Sequence, residues 1–366
     1  RTEIGGNHTD HNNGRVLAAA VDLDTIACVS ATEDHTIVVD SEGFAPITVK
    51  LDNLDVREKD FGTTLALIRG TAGVMQEMGY KVGGFRATIS SSVLRGSGLS
   101  SSAAFEVLIA AILDGLYNGF IVDAKTRAVI AQKVENVYFG KPCGLMDQMA
   151  SSVGGMVTID FKEKDAKVEA IACDFAAKGY ALCVVNTGGD HGDLTDDYAA
   201  IRKEMEAVAA HFGKHVLREV EPEAVESRIG EVRRACGDRA VLRAIHYFEE
   251  NARALAQRNA LQQKQFAAFA RLVLESGRAS FALCQNVYCA TDVRHQGLSV
   301  ALALSQSILQ GSAGAWRMQG GGFAGTIQAY VPHDLLARYH DQIEQVFGAG
   351  SCYILRLREQ GAVKVG

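Results

Sequence analysis

Glycine and serine residues with the spacing of a phosphate-binding turn lie near residue 100. The run reads Gly96-Ser97-Gly98-Leu99-Ser100-Ser101-Ser102-Ala103-Ala104. Its two glycines permit a positive φ or a close backbone approach, and its serines stand where an apolar helix would begin. Free backbone N–H groups at the positive end of a helix bind anions. The run therefore predicts a phosphate site. Because it lacks the ending of a Walker A loop, it also fits an ordinary serine-capped helix after a turn.

A second polar run lies at residues 1–14. Its ionisable and amide side chains are Arg1, Glu3, Asn7, His8, Asp10, His11, Asn12 and Asn13. An apolar segment follows from Val16, so we predict that these groups lie on a loop beside the core, where binding residues are often placed. Their types favour recognition of hydroxyl groups. A metal held by His8, Asp10 and His11, or a surface turn without function, are the alternatives.

Two carboxylates flank a turn in the middle of the sequence. Glu135 lies near the end of a predicted helix, which the glycines and the proline of residues 140–144 interrupt before Asp147. The turn would bring both carboxylates to one site, with Glu135 holding a cation and Asp147 facing a hydroxyl group. A solvated helix face for Glu135 and a helix N-cap for Asp147 are the alternatives.

A third glycine run, Gly320-Gly321-Gly322, stands before a predicted strand over residues 327–331. Consecutive glycines beside a strand indicate that the backbone passes close to another group, although a hairpin turn has the same composition. Tyr198 lies in the first turn of a predicted amphipathic helix, where packing is its usual role. The polar segment 162–178 is interpreted as the crossing into a second domain.

Hydrophobic periodicity predicts the elements that must position these groups. The predicted strands cover residues 36–40, 47–51, 85–93, 155–161, 179–186, 327–331 and 352–357. The predicted helices cover residues 61–78, 105–116, 124–137, 198–212, 241–256, 265–275, 300–309 and 335–347. The phosphate run therefore lies between a strand and a helix.

Composition limits the classes of function. The 366 residues favour two domains, and a net charge of −6 without a basic run argues against a nucleic-acid partner. Eight scattered cysteines without a Cys-x-x-Cys pair indicate reduced thiols rather than a zinc site. Neither a membrane-spanning run nor a signal peptide is evident, so we expect a cytoplasmic protein that does not contact a membrane.

Together these motifs resemble those of the GHMP small-molecule kinases, and within that superfamily the galactokinases. The family's first signature is matched at Arg1, Gly6, His8, Thr9, Asp10, Asn12 and Gly14. Its second matches residues 96–104, and its Cys-Gly-Ile-Met-Asp-Gln motif is similar to Cys143-Gly144-Leu145-Met146-Asp147-Gln148. Its C-terminal glycine loop is similar to residues 320–325. The resemblance covers nearly the whole chain.

The resemblance implies an α+β, two-domain GHMP kinase fold with the active site in the interdomain cleft. The N-terminal domain, residues 1–175, would carry the sugar loop 1–14 and the phosphate loop 96–104. The C-terminal domain, residues 176–366, would carry the glycine-rich loop 320–325.

The resemblance also implies roles for individual residues. Asp147 would abstract or orient the proton of the sugar C1 hydroxyl, and Arg1 would keep Asp147 ionised and neutralise charge on the transferred phosphoryl group. Mg²⁺ would be held by Ser102 and Glu135 together with phosphate oxygens and water. The backbone of Gly96, Ser97, Gly98, Leu99, Ser100 and Ser101 would bind ATP. The sugar would contact Asn7, His8, Asp10, Gly144 and Tyr198.

The sequence departs from the galactokinase pattern at a few positions. Asn7 stands where galactokinases have Glu, His11 where they have Tyr, and Leu94 where they have Pro. The segment 285–288 also differs. Because an amide accepts a hydrogen bond without charge, sugar identity is the inference that these changes affect most.

The function that the resemblance implies is ATP-dependent phosphorylation of galactose at its anomeric C1 hydroxyl, by a galactokinase-type enzyme that uses ATP and Mg²⁺. The same reaction on another sugar, such as N-acetylgalactosamine, is an alternative. A second alternative is a protein that senses galactose and ATP without catalysis. A monomer is compatible with the sequence.

Overall fold

In a computed structural model the chain is described over residues 1–93, 99–189 and 195–365. These residues form twelve strands and eleven α-helices. The strands are β1 (Thr2–Gly5), β2 (Arg15–Ala19), β3 (Thr25–Thr32), β4 (Thr36–Ser41), β5 (Ile47–Lys50), β6 (Gly84–Ser91), β7 (Met156–Asp160), β8 (Lys167–Ile171), β9 (Tyr180–Asn186), β10 (Ala315–Met318), β11 (Thr326–Pro332) and β12 (Cys352–Leu355). The helices are α1 (Thr64–Glu77), α2 (Ser101–Tyr117), α3 (Ala124–Val137), α4 (Met146–Val153), α5 (Thr195–His211), α6 (Pro222–Ser227), α7 (Ile229–Cys236), α8 (Asp238–Gln262), α9 (Phe266–Ala279), α10 (Gly297–Leu309) and α11 (Leu336–Phe347).

The first sheet has the antiparallel order β1-β2-β7-β8. Side chains alternate across β2, so Val16 and Ala18 pack with α4 while Leu17 and Ala19 face the core beneath α8 and α9. Both faces are covered, which explains the continuous apolar run. The prediction of a loop over residues 1–14 is wrong at its start, because residues 2–5 pair with β2 as an edge strand.

The second sheet has the order β3-β6-β4-β5, with β4 and β6 parallel. Phe85 and Ile89 of β6 point to one face and pack with Ile68 of α1 and with Ile109 and Leu113 of α2. In chain order the phosphate run follows β6, as predicted, and its last four residues are the first four residues of α2. Helix α2 begins at Ser101, four residues before the predicted start, because its first turn is polar and gives no hydrophobic signal.

The third sheet has the antiparallel order β10-β11-β9-β12. Helices α10 and α11 cover it through Leu298, Ile308 and Ile343. Strands β10 and β11 form a hairpin, and the glycine-rich residues 320–325 lie in its loop. The predicted strand over residues 327–331 is confirmed as β11, whereas β10 was not predicted.

The segment 162–178 contains a strand that the sequence did not reveal. Its polar sequence predicts a crossing between domains. In the structure it includes β8, the edge strand of the first sheet. A single hydrophobic cluster extends from Ile4 and Leu17 to Leu182 and Tyr330, on both sides of residue 175. The division of the chain near residue 175 stays a prediction, and the parts on either side share this core.

The segment 356–362, which we call the return segment, runs back to the first sheet. Gly155 N donates to Arg358 O at 2.7 Å, Arg358 N donates to Ala20 O at 2.9 Å, and Ala362 N donates to Ser152 O at 3.3 Å. A Cβ atom at Gly361 would lie 2.1 Å from Ser152 O, so only glycine fits there. Within the described chain, no helix combines the length and apolar character that a bilayer crossing requires.

Candidate active site

Asp147 lies in the first turn of α4 and is bound by two other residues. Arg1 Nε donates to its Oδ1 at 2.7 Å, and Arg1 Nη2 donates to its Oδ2 at 2.6 Å. Ser100 Oγ donates to the same Oδ2 at 2.6 Å. Ser100 occupies the N-cap position of α2 with φ +61° and makes no side-chain cap there, because its hydroxyl is turned to the carboxylate. The structure thus joins the start of α2 to Asp147 and Arg1.

The charge of Asp147 is set by two opposing influences. Burial alone would raise the pKa of this carboxyl group, but the charge and hydrogen bonds of Arg1 and the hydroxyl of Ser100 lower it below its usual value. Arg1 is nearly buried, so its charge is little screened by water. Asp147 is therefore ionised at neutral pH, with oxygen lone pairs left to accept another hydrogen bond.

A second carboxyl group, that of Asp10, lies against the turn before α4. A Cβ atom at Gly144 would stand 1.7 Å from Asp10 Oδ2, so the absence of a side chain at Gly144 makes room for this carboxyl group. Burial, followed by the negative charges of Asp147 and Glu3, raises the pKa of Asp10 to about 7. Two neighbouring carboxyl groups therefore differ in protonation near neutral pH.

The glycine loop accepts hydrogen bonds from three of the predicted sugar-binding residues. Asn7 Nδ2 donates to Gly320 O at 2.7 Å, and His8 Nε2 donates to Gly321 O at 2.9 Å. Tyr198 Oη donates to Gly322 O at 2.8 Å. Three consecutive carbonyls are thus held by side chains from the beginning and the middle of the chain.

The two histidines of the sugar loop form a directional chain of hydrogen bonds. A carbonyl only accepts, so the contact with Gly321 assigns the proton of neutral His8 to Nε2. His8 Nδ1 then accepts from His11 Nε2 at 3.3 Å, and His11 Nδ1 accepts from Asn12 Nδ2 at 2.9 Å. Burial lowers the pKa of His8 to about 4 and that of His11 well below its ordinary value.

Ser102 and Glu135 meet between α2 and α3. Ser102 Oγ donates to Glu135 Oε1 at 3.1 Å, and Gln148 Nε2 donates to Glu135 Oε2 at 2.7 Å. Glu106, one helical turn after Ser102, is fully buried; its pKa is raised to about 10 by burial and by the charge of Glu135. The described residues contain no cluster of three His, Cys, Asp or Glu side chains suited to a metal. A hydroxyl and a carboxylate fit Mg²⁺ that completes its shell with phosphate and water.

The remaining predicted residues lie as follows. Gly96, Ser97 and Gly98 are outside the described residues. Leu99 is buried, and Ser101 is the first residue of α2. Asn7 has no exposed surface, and its amide group is bonded within the protein. The metal interpretation of His8, Asp10 and His11 finds no support, since the two histidines bond to each other and to Gly321 and Asn12.

Sequence reasoning missed the buried polar residues behind these groups. Gln148 donates hydrogen bonds to both Glu135 and Glu106. The sequence signal that could have found Glu106 is its position four residues after Ser102, which places the two on the same face of one helix. Glu3 is paired with Arg317 of β10. Residues this far apart in sequence carry no local pattern that predicts their contact. A cavity of about 340 Å³ lined by Cys173, Lys264 and Phe266 shares no residue with the site.

Two protein-family models match the parts of the sequence that carry these side chains. Residues 66–155 match the model of the GHMP kinases N terminal domain, and residues 1–31 match the galactokinase galactose-binding signature. The first range contains Ser100, Ser102, Glu135 and Asp147, and the second contains Arg1 and the sugar loop. The resemblance drawn from the sequence is confirmed over these two ranges.

Solved structures show the same fold over the full chain. A crystal structure of Lactococcus lactis galactokinase complexed with galactose is 22% identical, with a TM-score of 0.85 over 100% of this chain and 93% of that one. Methanococcus jannaschii mevalonate kinase is 16% identical, with a TM-score of 0.67 over 97% and 95%. Streptococcus pneumoniae phosphomevalonate kinase, in complex with phosphomevalonate and AMPPNP, is 12% identical, with a TM-score of 0.64 over 98% and 97%. The predicted α+β fold is confirmed.

Proposed function

We propose that this chain, which carries the N-terminal domain of the GHMP kinases and has their fold, phosphorylates galactose at its anomeric C1 hydroxyl. ATP would be the phosphoryl donor, and galactose 1-phosphate and ADP the products. The observation that carries the proposal is the carboxylate of Asp147. It is paired with Arg1 through two hydrogen bonds and lies beside the start of α2. The galactose-binding signature over residues 1–31 supports the choice of sugar.

In the proposed reaction the C1 oxygen attacks the γ-phosphorus of ATP. The bond between the γ-phosphorus and the β,γ-bridging oxygen breaks, ADP leaves, and the C1 hydroxyl proton passes to Asp147. Arg1 keeps Asp147 ionised before the transfer and stabilises negative charge on the phosphoryl group during it. Ser100 Oγ, which donates to Asp147 Oδ2, holds the carboxylate against the start of α2.

ATP would bind at the start of α2, where the helix presents backbone N–H groups. Residues 96–101 are the proposed phosphate ligands. Ser102 and Glu135 would hold Mg²⁺, which neutralises phosphate charge when it is bound. Gln148 fixes the second oxygen of Glu135, so that Oε1 is left on the side of Ser102.

The sugar would lie between the sugar loop and the glycine loop. Asp10, placed against Gly144, and the rings of His8 and Tyr198 are proposed to line this pocket. It would occupy the cleft between an N-terminal domain over residues 1–175 and a C-terminal domain over residues 176–366. Contacts of Asn7, His8 and Tyr198 with Gly320–Gly322 support this position.

The same chemistry on another sugar, such as N-acetylgalactosamine, is the second candidate. The observation that favours it is the amide of Asn7, which is buried and already bonded to Gly320 and Asn286. A residue whose polar atoms are bonded within the protein contributes less to choosing among sugar hydroxyls.

The test is an assay of ADP release with Mg-ATP and a panel of sugars. Turnover with galactose that is lost in Asp147→Ala is expected. Asp160→Ala is the matched control, because Asp160 is also paired with arginines, Arg15 and Arg218, outside the site. Turnover with another sugar only would favour the second candidate. Binding of galactose and ATP in a calorimeter, without turnover of any sugar, would contradict kinase activity and indicate a sensor.

A further inference from the structure

We propose that Asn7 and Asn286 act as one positioning unit, here called the amide pair, that fixes the glycine loop and so sets the affinity for the sugar without touching it. The inference rests on the proposed function, because it assumes that the sugar binds beside this loop. It differs from the sequence-based prediction for Asn7, which was direct contact with the sugar.

The two amides bond to each other and to adjacent carbonyls of the glycine loop. Asn286 Nδ2 donates to Asn7 Oδ1 at 3.0 Å and to Gly321 O at 3.1 Å. Asn7 Nδ2 donates to Gly320 O at 2.7 Å and to Glu3 Oε1 at 3.2 Å. Neither asparagine has exposed surface. The pair therefore holds two consecutive loop carbonyls, the second of them together with His8.

The chemistry of the surroundings requires amides rather than carboxylates. The groups that face the two Nδ2 atoms are acceptors: the carbonyls of Gly320 and Gly321, the carboxyl group of Glu3 and, for Asn286, Oδ1 of Asn7. Ser280 Oγ is a donor and bonds to Asn7 Oδ1 at 3.5 Å. An amide supplies two N–H donors and one acceptor, so each asparagine bonds to the loop while Asn7 also accepts from Asn286. A carboxylate at either position would face these acceptors without a proton.

At Gly322 the backbone of the glycine loop packs directly against the backbone of Asn286. Gly322 has φ +85°, and a Cβ atom there would lie 2.0 Å from Asn286 O. A side chain would therefore separate the loop from Asn286. His8 and Tyr198 bond to the same loop, His8 at the Gly321 oxygen that Asn286 also contacts. A loss of the pair therefore changes the position of the rings proposed to line the sugar pocket.

Stability alone does not explain why Asn286 is polar. Its Oδ1 is buried and has no hydrogen-bond partner among the described residues. A buried polar atom without a partner costs free energy, so an apolar side chain of similar volume would fill the position at lower cost. What Asn286 contributes in return is the donor pair on Nδ2, of which one bond goes to Gly321 O in the glycine loop and the other to Asn7 Oδ1.

The experiment compares Asn7→Ala, Asn286→Ala and the double variant in the ADP-release assay. Each single change is expected to raise the KM for the sugar about tenfold, with kcat within about threefold and the KM for ATP unchanged. Because the residues act as a unit, the double variant should be no worse than the poorer single one. Hydrogen exchange in a peptide over residues 319–324 should be faster in all three variants.

Two controls separate positioning from packing. Asn286→Leu keeps the volume and removes the donors, so it should raise the KM as Asn286→Ala does; a space-filling role predicts a KM near that of the wild type. Asn251→Ala removes an asparagine that accepts from Arg15 N and Arg218 outside the loop, and it should leave the KM unchanged.

The outcomes are distinct from those for the proposed function. Independent effects that multiply in the double variant, or a sugar KM within twofold of the wild type in Asn286→Leu, would overturn the amide pair. An absence of sugar turnover in the wild type would overturn the proposed function instead. In that case unchanged hydrogen exchange over residues 319–324 would overturn the pair as well, whereas faster exchange would support its hold on the loop.

Discussion

At the scale of single residues, the raised pKa of the Asp10 carboxyl group makes the stability of the fold depend on pH. Its folded-state pKa of about 7 lies above the ordinary value of 3.8. A raised folded pKa means that folding favours the protonated form, so this stabilising effect is complete below pH 3.8 and is lost as the pH rises through 7. At pH 8 the ionised carboxyl group therefore destabilises the fold.

Replacing Asp10 with Asn should remove this cost. Urea unfolding should show Asp10→Asn to be more stable than the wild type at pH 8 by about 1 kcal/mol, with a smaller difference at pH 5. Asp147→Asn serves as the control. The pKa of Asp147 is lowered, so its stabilising effect is present above pH 3.8 and should not change between pH 5 and 8. A difference for Asp10→Asn that is independent of pH would contradict the assignment.

The histidine chain gives a second prediction at this scale. Nitrogen-15 NMR of the imidazole rings should show His8 and His11 neutral, both with the proton on Nε2, from pH 8 down to pH 6. The reason is that Gly321 O and His8 Nδ1 accept in turn, while burial lowers both pKa values. The variant His11→Phe removes the N–H group that donates to His8 Nδ1 in this chain of hydrogen bonds. Two protonated nitrogens on His8 at pH 6 would be inconsistent with the chain.

At the scale of elements, the turn before α4 must leave space for Asp10. Gly144→Ala would place a Cβ atom 1.7 Å from Asp10 Oδ2 and push the carboxyl group away. We expect a rise in the KM for the sugar of about tenfold or more, which the ADP-release assay measures. Gly230→Ala is the matched control. Gly230 lies exposed in α7, where a Cβ atom would make only an ordinary van der Waals contact with Arg234 at 3.8 Å, so kinetics should be unchanged and stability slightly higher. Equal KM values for Gly144→Ala and the wild type would argue against Asp10 as a sugar ligand.

Elements with a strong apolar period were predictable, and those with polar edges were not. Helix α3 was predicted with its observed bounds, because Asp123 supplies an N-cap that accepts from Thr126 N and apolar residues recur along it. Strand β8 was missed, since its exposed lysine and half-buried glutamate resemble a loop. Strand β1 was missed for another reason: Glu3 is buried there only because Arg317 lies beside it.

The site was predictable to the extent that each residue belongs to a local motif. Asp147, Glu135 and Ser102 stand in short motifs, and the structure brings each to the neighbourhood of the start of α2. The pairing of Asn7 with Asn286 was not predictable. It joins positions 279 residues apart and depends on the path of the backbone rather than on any period.

At the scale of the whole molecule, a buried ion pair between Glu3 and Arg317 joins the first sheet to the third. Arg317 has no exposed surface, and it also donates to Ile4 O at 3.2 Å. Arg317→Met leaves Glu3 buried without its oppositely charged partner, so the free energy of unfolding should fall by about 3–5 kcal/mol. Burial raises the pKa of Glu3 and Arg317 lowers it, so this pKa rises further in the variant, and the loss should be larger at pH 8 than at pH 5.

The double variant Glu3→Gln, Arg317→Met tests the cause of that loss. It removes the unpaired carboxyl group, so chemical denaturation should show part of the stability restored. Arg233→Met breaks the exposed pair with Asp238 and should cause no measurable change. A double variant as unstable as Arg317→Met would mean that the arginine acts through packing rather than through its charge.

The position of the return segment in the sequence also affects when the first sheet can finish folding during translation. It binds backbone groups of Ala20, Ser152 and Gly155, yet the ribosome adds it about 200 residues after β7. At about 5–20 residues per second, this interval lasts roughly 10–40 s. During that time the nascent chain exposes groups in the first sheet that the return segment later covers. Folding of this sheet therefore cannot be completed until the return segment has left the ribosome.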